Sequence, residues 1–239
     1  MSHIAESAYI GENVTLGQNV KIGPGAVILG PATIGDDVFI GAGAQIGAPA
    51  EISSLPQNAA WAGETGGAGV VIAAGAVVRE LAVIHQGSHR PTYVGKDAWI
   101  LNRAYLAHDV QIGDGTTVSA GVSIGGHCEI GERVNIGMNA VVHQRRVIGG
   151  GAMVGMGTPV TADVPPFAKV FGTPPRIKGI NTVGLERAGF APELSETLAL
   201  AYQNQTPLTA AELQQKLESL QELVDWWAER ASDKVMQVG

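Results

Sequence analysis

Four of the chain's six histidines, His85, His108, His127 and His143, fall at related places in a repeating pattern, and they are the residues best suited to chemistry. An unperturbed imidazole titrates near ~6.5, so a histidine can take a proton from an attacking group at neutral pH. Asp109 follows His108 directly and can orient its ring. Gly126 stands eighteen residues after His108, and Gln144 eighteen after that. With no side chain in the way, the Gly126 N–H can approach a developing oxyanion. A base, an orienting acid and an oxyanion amide are the parts of a general-base reaction that passes through an oxyanion. From the residues alone, solvated histidines on a β surface remain the competing explanation.

Those spacings have meaning only if some regular element stacks the residues, and the sequence supplies one. Ile10, Leu16, Ile22, Ile28, Ile34, Ile40 and Ile46 recur every six residues. The period resumes at Ile72, Val78 and Ile84 and runs unbroken from Val94 to Val160. Four positions after the aliphatic residue stands a small or β-branched one, such as Val20, Ala26 or Ala44, and a glycine commonly follows the aliphatic residue directly. Six matches neither helix nor simple alternation, but suits a short strand plus a corner. The expectation is a parallel β-helix, with the aliphatic and small residues inward and the glycine relieving backbone strain at the corner. With three hexads per coil, the hexads beginning at Ile84, Leu106, Ile124 and Val142 share one face, and the four histidines lie on it.

Loops near 48–69 and 87–93 interrupt the period, and loops of that kind commonly carry function. The repeat ends at Asp163-Val164-Pro165-Pro166, after which the pattern becomes helical. Pro192 reads as opening one helix, and Thr209 with Glu212 as the capping box of a second that runs to about Ala231. Leu213, Leu217, Leu220 and Leu223 form its apolar stripe, while Trp226 and Trp227 read as packing. The domain expectation is 1–180 for the β-helix and 181–239 for the helical part.

A formal charge of −7 offers no general attraction to nucleic acid or anionic lipid. No apolar run approaches the ~18 residues of a membrane span, and the lone Cys128 suits a reducing compartment. The expectation is a cytoplasmic protein with no nucleic-acid partner.

Taken together, Ala62-Gly63-Glu64, Ile84-His85, Leu106-Ala107-His108-Asp109, Gly126-His127, Val142-His143-Gln144, Asp163-Val164-Pro165-Pro166 and the run Asn181, Gly184-Leu185, Arg187, Gly189-Phe190 resemble the acyl-carrier-protein-dependent UDP-N-acetylglucosamine O-acyltransferase family of the lipid A pathway. The resemblance implies an all-β, parallel, left-handed β-helix with a small α-helical C-terminal domain, assembled as a homotrimer. The usual right-handed crossover rule would have pointed the other way. It also implies catalytic roles for His108 (base), Asp109 (its acid partner) and Gly126 (oxyanion amide). His85, His127, His143, Gln144, Asn181 and Arg187 match substrate-binding positions.

No bound cofactor is implied; the acyl thioester, on acyl carrier protein or coenzyme A, is a co-substrate. Zinc is the competing functional reading, because hexapeptide-repeat carbonic anhydrases bind it through histidines on neighbouring coils. Those proteins carry a histidine pair four residues apart; His85 and His89 are so spaced, but no such pair surrounds His108 or His127, and no metal is expected.

The chain departs from the family pattern at Asn58 and Ala60, where the family has an acid and a lysine, and at Tyr105, which replaces a histidine. Arg146 occupies a small inward position. Gly172-Thr173-Pro174-Pro175-Arg176 resembles a turn of coenzyme A-dependent sugar acetyltransferases. The primary expectation is acyl transfer to a hydroxyl of a UDP-N-acetylglucosamine-like nucleotide. The alternatives are a coenzyme A-dependent O- or N-acyltransferase and a silent trimeric scaffold.

Overall fold

The computed structural model describes residues 1–57 and 66–239; Asn58, Ala60 and Ala62-Gly63-Glu64 lie outside the described residues. Among the described residues, most of the twenty-five strands have two or three residues, and they stack into three sheets of ten, eight and seven strands. Every pairing within the coil is parallel. The aliphatic residues face each other up the stack: Leu106 pairs with Ile124, and Ile124 with Val142. Coil after coil advances by eighteen residues, as the hexad period predicts, except across the loop after Ala48, where the step from Ile46 to Ile84 is thirty-eight. The solenoid fits the left-handed parallel β-helix that the family resemblance implies. Between Ile84 and Leu106 the step is twenty-two, because the insertion after Gln86 adds four residues.

The interior is narrow and filled by small and aliphatic groups. Ala26, Ile28, Ala44, Ile84, Leu106 and Ile124 are fully buried, as is Cys128, whose thiol burial pushes up to about 12. No large ring fits inside such a coil, which accounts for an aromatic content of only 5%. Ile124→Ala removes three carbons at a point where a residue from the coil on either side abuts it. Large-to-small core changes of this kind cost ~2–5 kcal/mol. Urea unfolding should show that loss; an unchanged midpoint would mean that Ile124 does not point inward.

The glycines act differently from expectation. The left-handed corner lies three residues after the aliphatic position, at Asn13, Asn19, Gly25, Asp37, Gly43, Asp97, Asp109 and His127, with φ between 53° and 67°. The glycine directly after the aliphatic residue serves a different need. A Cβ at Gly23 or Gly35 would lie 2.7 Å from a backbone nitrogen of the adjacent coil, so close approach rather than corner strain selects glycine there.

Strands also continue past the end of the repeat. β24 (Ala168–Phe171) adds a parallel rung, and β25 (Arg176–Ile180) folds back antiparallel to it across the Gly172-Thr173-Pro174-Pro175 turn. The helices are α1 (Thr182–Arg187), α2 (Leu194–Gln203), α3 (Ala211–Gln214) and α4 (Gln221–Arg230). Pro192 precedes the α2 cap, Glu193, rather than opening the helix. The capping box at Thr209 and Glu212 does not form, since Ala210 caps α3 with no side-chain bond. The single long helix is instead broken, with a 3-10 turn at Glu218–Leu220 before α4. Leu213, Leu217, Leu220, Val224 and Trp227 still keep one buried stripe.

Arg146 is explained by its partners. Its guanidinium pairs with buried Asp163 at 3.1 Å, and Asp163 also accepts from Ser232 N (2.7 Å) and Oγ (2.6 Å). The final residues return to the coil, with Met236 N donating to Asp163 O at 2.8 Å.

Candidate active site

Asp109 is the centre of the site. It sits on a left-handed corner, φ +62°, and is completely buried. The insertion after Gln86 folds over it, so that the amides of Ser88, His89 and Arg90 donate to Oδ1 at 3.0, 3.1 and 3.1 Å. Ser88 Oγ donates to Oδ2 at 2.6 Å. On the other side His108 Nδ1 lies 2.7 Å from Oδ2. Burial alone would raise this carboxyl. The hydrogen bonds from Ser88, His108 and the amides of His89 and Arg90 outweigh it and hold the group well below the usual carboxylate range. An ionised carboxylate accepts only, so His108 donates from Nδ1, and in the neutral ring Nε2 is left as the acceptor.

Gly126 lies against the other edge of that ring. A Cβ there would stand 2.7 Å from His108 Cε1 and Nε2. Its N–H has no acceptor among the described residues, while its carbonyl accepts from Arg145 N at 2.9 Å. Gly126→Ala should therefore push the imidazole aside without straining the backbone. A displacement of that order costs a reaction ~10²-fold, so turnover should drop by about that factor with little change in Tm. An alanine variant with wild-type turnover would show that His108 need not stand where it does.

His127, at the next corner with φ +60°, packs its ring 4.7 Å from His108 and 5.2 Å from His89. Burial lowers its pKa, with Asp109 pulling up and Arg145, His108 and His89 pushing down, and the net is a ring below its ordinary value. His85 belongs to the same sheet but a different cluster. Its Nδ1 is 2.7 Å from Pro49 O and 3.3 Å from Glu51, whose other oxygen accepts from Tyr105 Oη at 2.6 Å. Tyr105 thus holds Glu51, three residues after Ala48, beside His85.

The structure brings together His108, Asp109, Gly126 and His127. His143 and Gln144 are exposed on the same face one coil on, with His143 Nδ1 3.1 Å from Gln144 O. Asn181 is engaged otherwise: its Oδ1 caps α1 by accepting from Gly184 N, and its Nδ2 donates to Gly151 O. Arg187 is exposed in the last turn of α1. Sequence reasoning missed Ser88 and Arg90 and named His89 only as the partner of His85 in a zinc-type spacing, although the break in period marked their loop. It also missed a chain of ion pairs, in which Arg90 Nη1 bonds Glu129 Oε1 at 3.0 Å and Arg230 Nε of α4 bonds Glu129 Oε2 at 2.9 Å.

Comparison with known proteins agrees with this architecture. Residues 13–48 and 91–126 match the bacterial transferase hexapeptide model, and 129–162 match the hexapeptide repeat of succinyl-transferase. Residues 163–235 match domain 2 of UDP-N-acetylglucosamine O-acyltransferase. An acyl-[acyl-carrier-protein]–UDP-N-acetylglucosamine O-acyltransferase of Paracidovorax citrulli is 53% identical over 100 residues, covering 42% of this chain and 38% of the relative. The enzyme of that name from Syntrophobacter fumaroxidans is 46% identical over 123 residues, covering 50% and 48%. The chain thus spans less than half the length of these relatives. Among solved structures, the UDP-N-acetylglucosamine acyltransferase of Campylobacter jejuni superposes with a TM-score of 0.76 at 25% identity, covering 100% of this chain and 98% of that one. That of Francisella novicida gives 0.69 at 28% identity, covering 99% and 90%. Repeat and coil define the class of hexapeptide-repeat β-helix proteins. Within that class the chain resembles the UDP-N-acetylglucosamine O-acyltransferase family in sequence, fold and domain order.

Proposed function

We propose that the chain moves an acyl group, of the 3-hydroxyacyl type, from acyl carrier protein to a hydroxyl of a UDP-N-acetylglucosamine-like nucleotide. The observation that carries this reading is the buried Asp109 carboxylate fixing His108 Nδ1 at 2.7 Å, with the ring's other edge against Gly126. His108 Nε2 takes the hydroxyl proton as the oxygen attacks the thioester carbonyl. The Gly126 N–H stabilises the oxyanion. The tetrahedral intermediate collapses, the carbon–sulfur bond breaks, and His108 returns the proton to the departing thiolate.

His85, His127, His143 and Gln144 are assigned to the substrate cleft. Arg187 is assigned to the nucleotide or donor, with Asn181 supporting it through α1. The domains are 1–180 and 181–239. Exposed Met138 and Met156 stack one coil apart beside exposed Val141 and Met153, an apolar edge that supports a homotrimer with the cleft between subunits. Among the described residues no helix is long and apolar enough to cross a membrane, which fits a cytoplasmic site of action.

The test is turnover with matched thioesters of acyl carrier protein and of coenzyme A at low and high ionic strength, alongside sedimentation. An acidic carrier protein docking near Arg145 and Arg176 should give the faster, salt-sensitive reaction. Faster, salt-indifferent transfer from coenzyme A, or a monomer at micromolar concentration, would overturn the reading.

A further inference from the structure

His89 stands at the rim of the site with a ring 61% exposed, and its Nδ1 lies 3.2 Å from Asp109 Oδ1. His127 Nδ1 lies 3.7 Å from Asp109 Oδ2. One ligand atom from each of the three residues falls within 4.8 Å of the other two. A tetrahedral zinc ion with bonds of about 2.0–2.2 Å needs neighbouring donors roughly 3.3 Å apart. The 3.2 Å and 3.7 Å contacts run to different oxygens of Asp109, so the two rings must close onto one of them by small side-chain movements. Two imidazoles and one carboxylate are the donors that zinc, cobalt and nickel favour; magnesium and calcium take oxygens. The site is also partly pre-organised. Three successive amides fix the plane of the Asp109 carboxylate, and His127 is held against the His108 ring. His89, on an exposed side chain, and the His127 ring must both turn toward one Asp109 oxygen, and the remaining coordination positions are open to solvent.

We propose that His89, Asp109 and His127 form a binding site for one divalent cation of the zinc class, and that its occupancy stops acyl transfer. The second half rests on the reading above, in which His108 needs Asp109 for its tautomer. A cation sharing that carboxylate puts positive charge beside His108 Nδ1 and draws His127 out of the cleft. The sequence reading looked for pairs of histidines four apart. The structure instead supplies a corner aspartate between two histidines from different coils.

The test uses the full chain, stripped with a chelator and titrated with Co²⁺, reading the visible d–d bands and the metal retained per chain after gel filtration. One cobalt per chain, displaced by Zn²⁺, is expected. His89→Ala should weaken it at least tenfold while Tm stays unchanged. Equal binding by wild type and His89→Ala, or no bands with either, would overturn the site. In the transfer assay Zn²⁺ should inhibit wild type, whereas His89→Ala should resist inhibition when compared with its own zinc-free rate. Cobalt bound through His89 with an undiminished wild-type rate would overturn the inhibitory half. If no thioester supports transfer, the functional reading fails while the cobalt titration still decides the site.

Discussion

Asp109→Asn should lower acyl transfer by about 10²–10⁴-fold while leaving the coil intact. The asparagine oxygen can still accept from the amides of Ser88, His89 and Arg90, so the loop keeps its anchor. Its amide nitrogen then faces His108 Nδ1 across the 2.7 Å contact and offers a hydrogen. His108 responds by placing its own proton on Nε2, the wrong nitrogen for a base. In the Ser-His-Asp proteases the corresponding exchange costs about 10⁴ in rate through the same tautomer change. Asp109→Ala adds a stability loss, because several buried donors lose their acceptor at ~1–3 kcal/mol each. The pH dependence follows from the depressed folded-state pKa. The carboxylate's stability contribution is complete above its unfolded value, near ~3.9, and is lost as pH falls from there through the folded value. Wild-type Tm should lose this contribution only below about pH 4, and Asp109→Asn should not show that acid-side component. An asparagine variant with full turnover would remove Asp109 from the mechanism.

His108→Ala should reduce transfer by ~10²–10⁴-fold, or further if the ring also positions the acceptor, with Tm nearly unchanged. The reasoning is positional. His108 projects from the third place of its hexad, outside the stack that holds Leu106, Ile124 and Val142, so its loss leaves no cavity between coils. Asp109 keeps its four bonds from Ser88, His89 and Arg90. A trimeric, thermally unchanged alanine variant with full activity would reopen the scaffold reading.

Much of this was legible because the repeat is one-dimensional. Once Ile84, Leu106, Ile124 and Val142 were assigned to one face, the stacking of Gly126 on His108 followed from spacing alone. What escaped depends on contacts that no period encodes. The insertion after Gln86 marks its place by breaking the repeat, yet only its folded path shows three amides converging on Asp109. Arg146 looked anomalous at an inward position because its partner, Asp163, lies in the next coil. The glycines were noticed for the wrong reason, since crowding by the neighbouring coil cannot be told from corner strain in a linear pattern. The side chain of Asn181, a substrate-binding position by resemblance, also caps α1, which its place in the linear pattern does not show. The break between α3 and α4 was hidden because the leucine spacing is helical throughout.

The central claim is that this chain joins an acyl group to a nucleotide sugar. Mass spectrometry of UDP-N-acetylglucosamine after incubation with the purified chain and a series of 3-hydroxyacyl carrier-protein thioesters tests it most directly. The account predicts a nucleotide heavier by one acyl group, formed with loss of the thioester and suppressed in His108→Ala. A nucleotide of unchanged mass with every donor, from a correctly folded trimer, would contradict it.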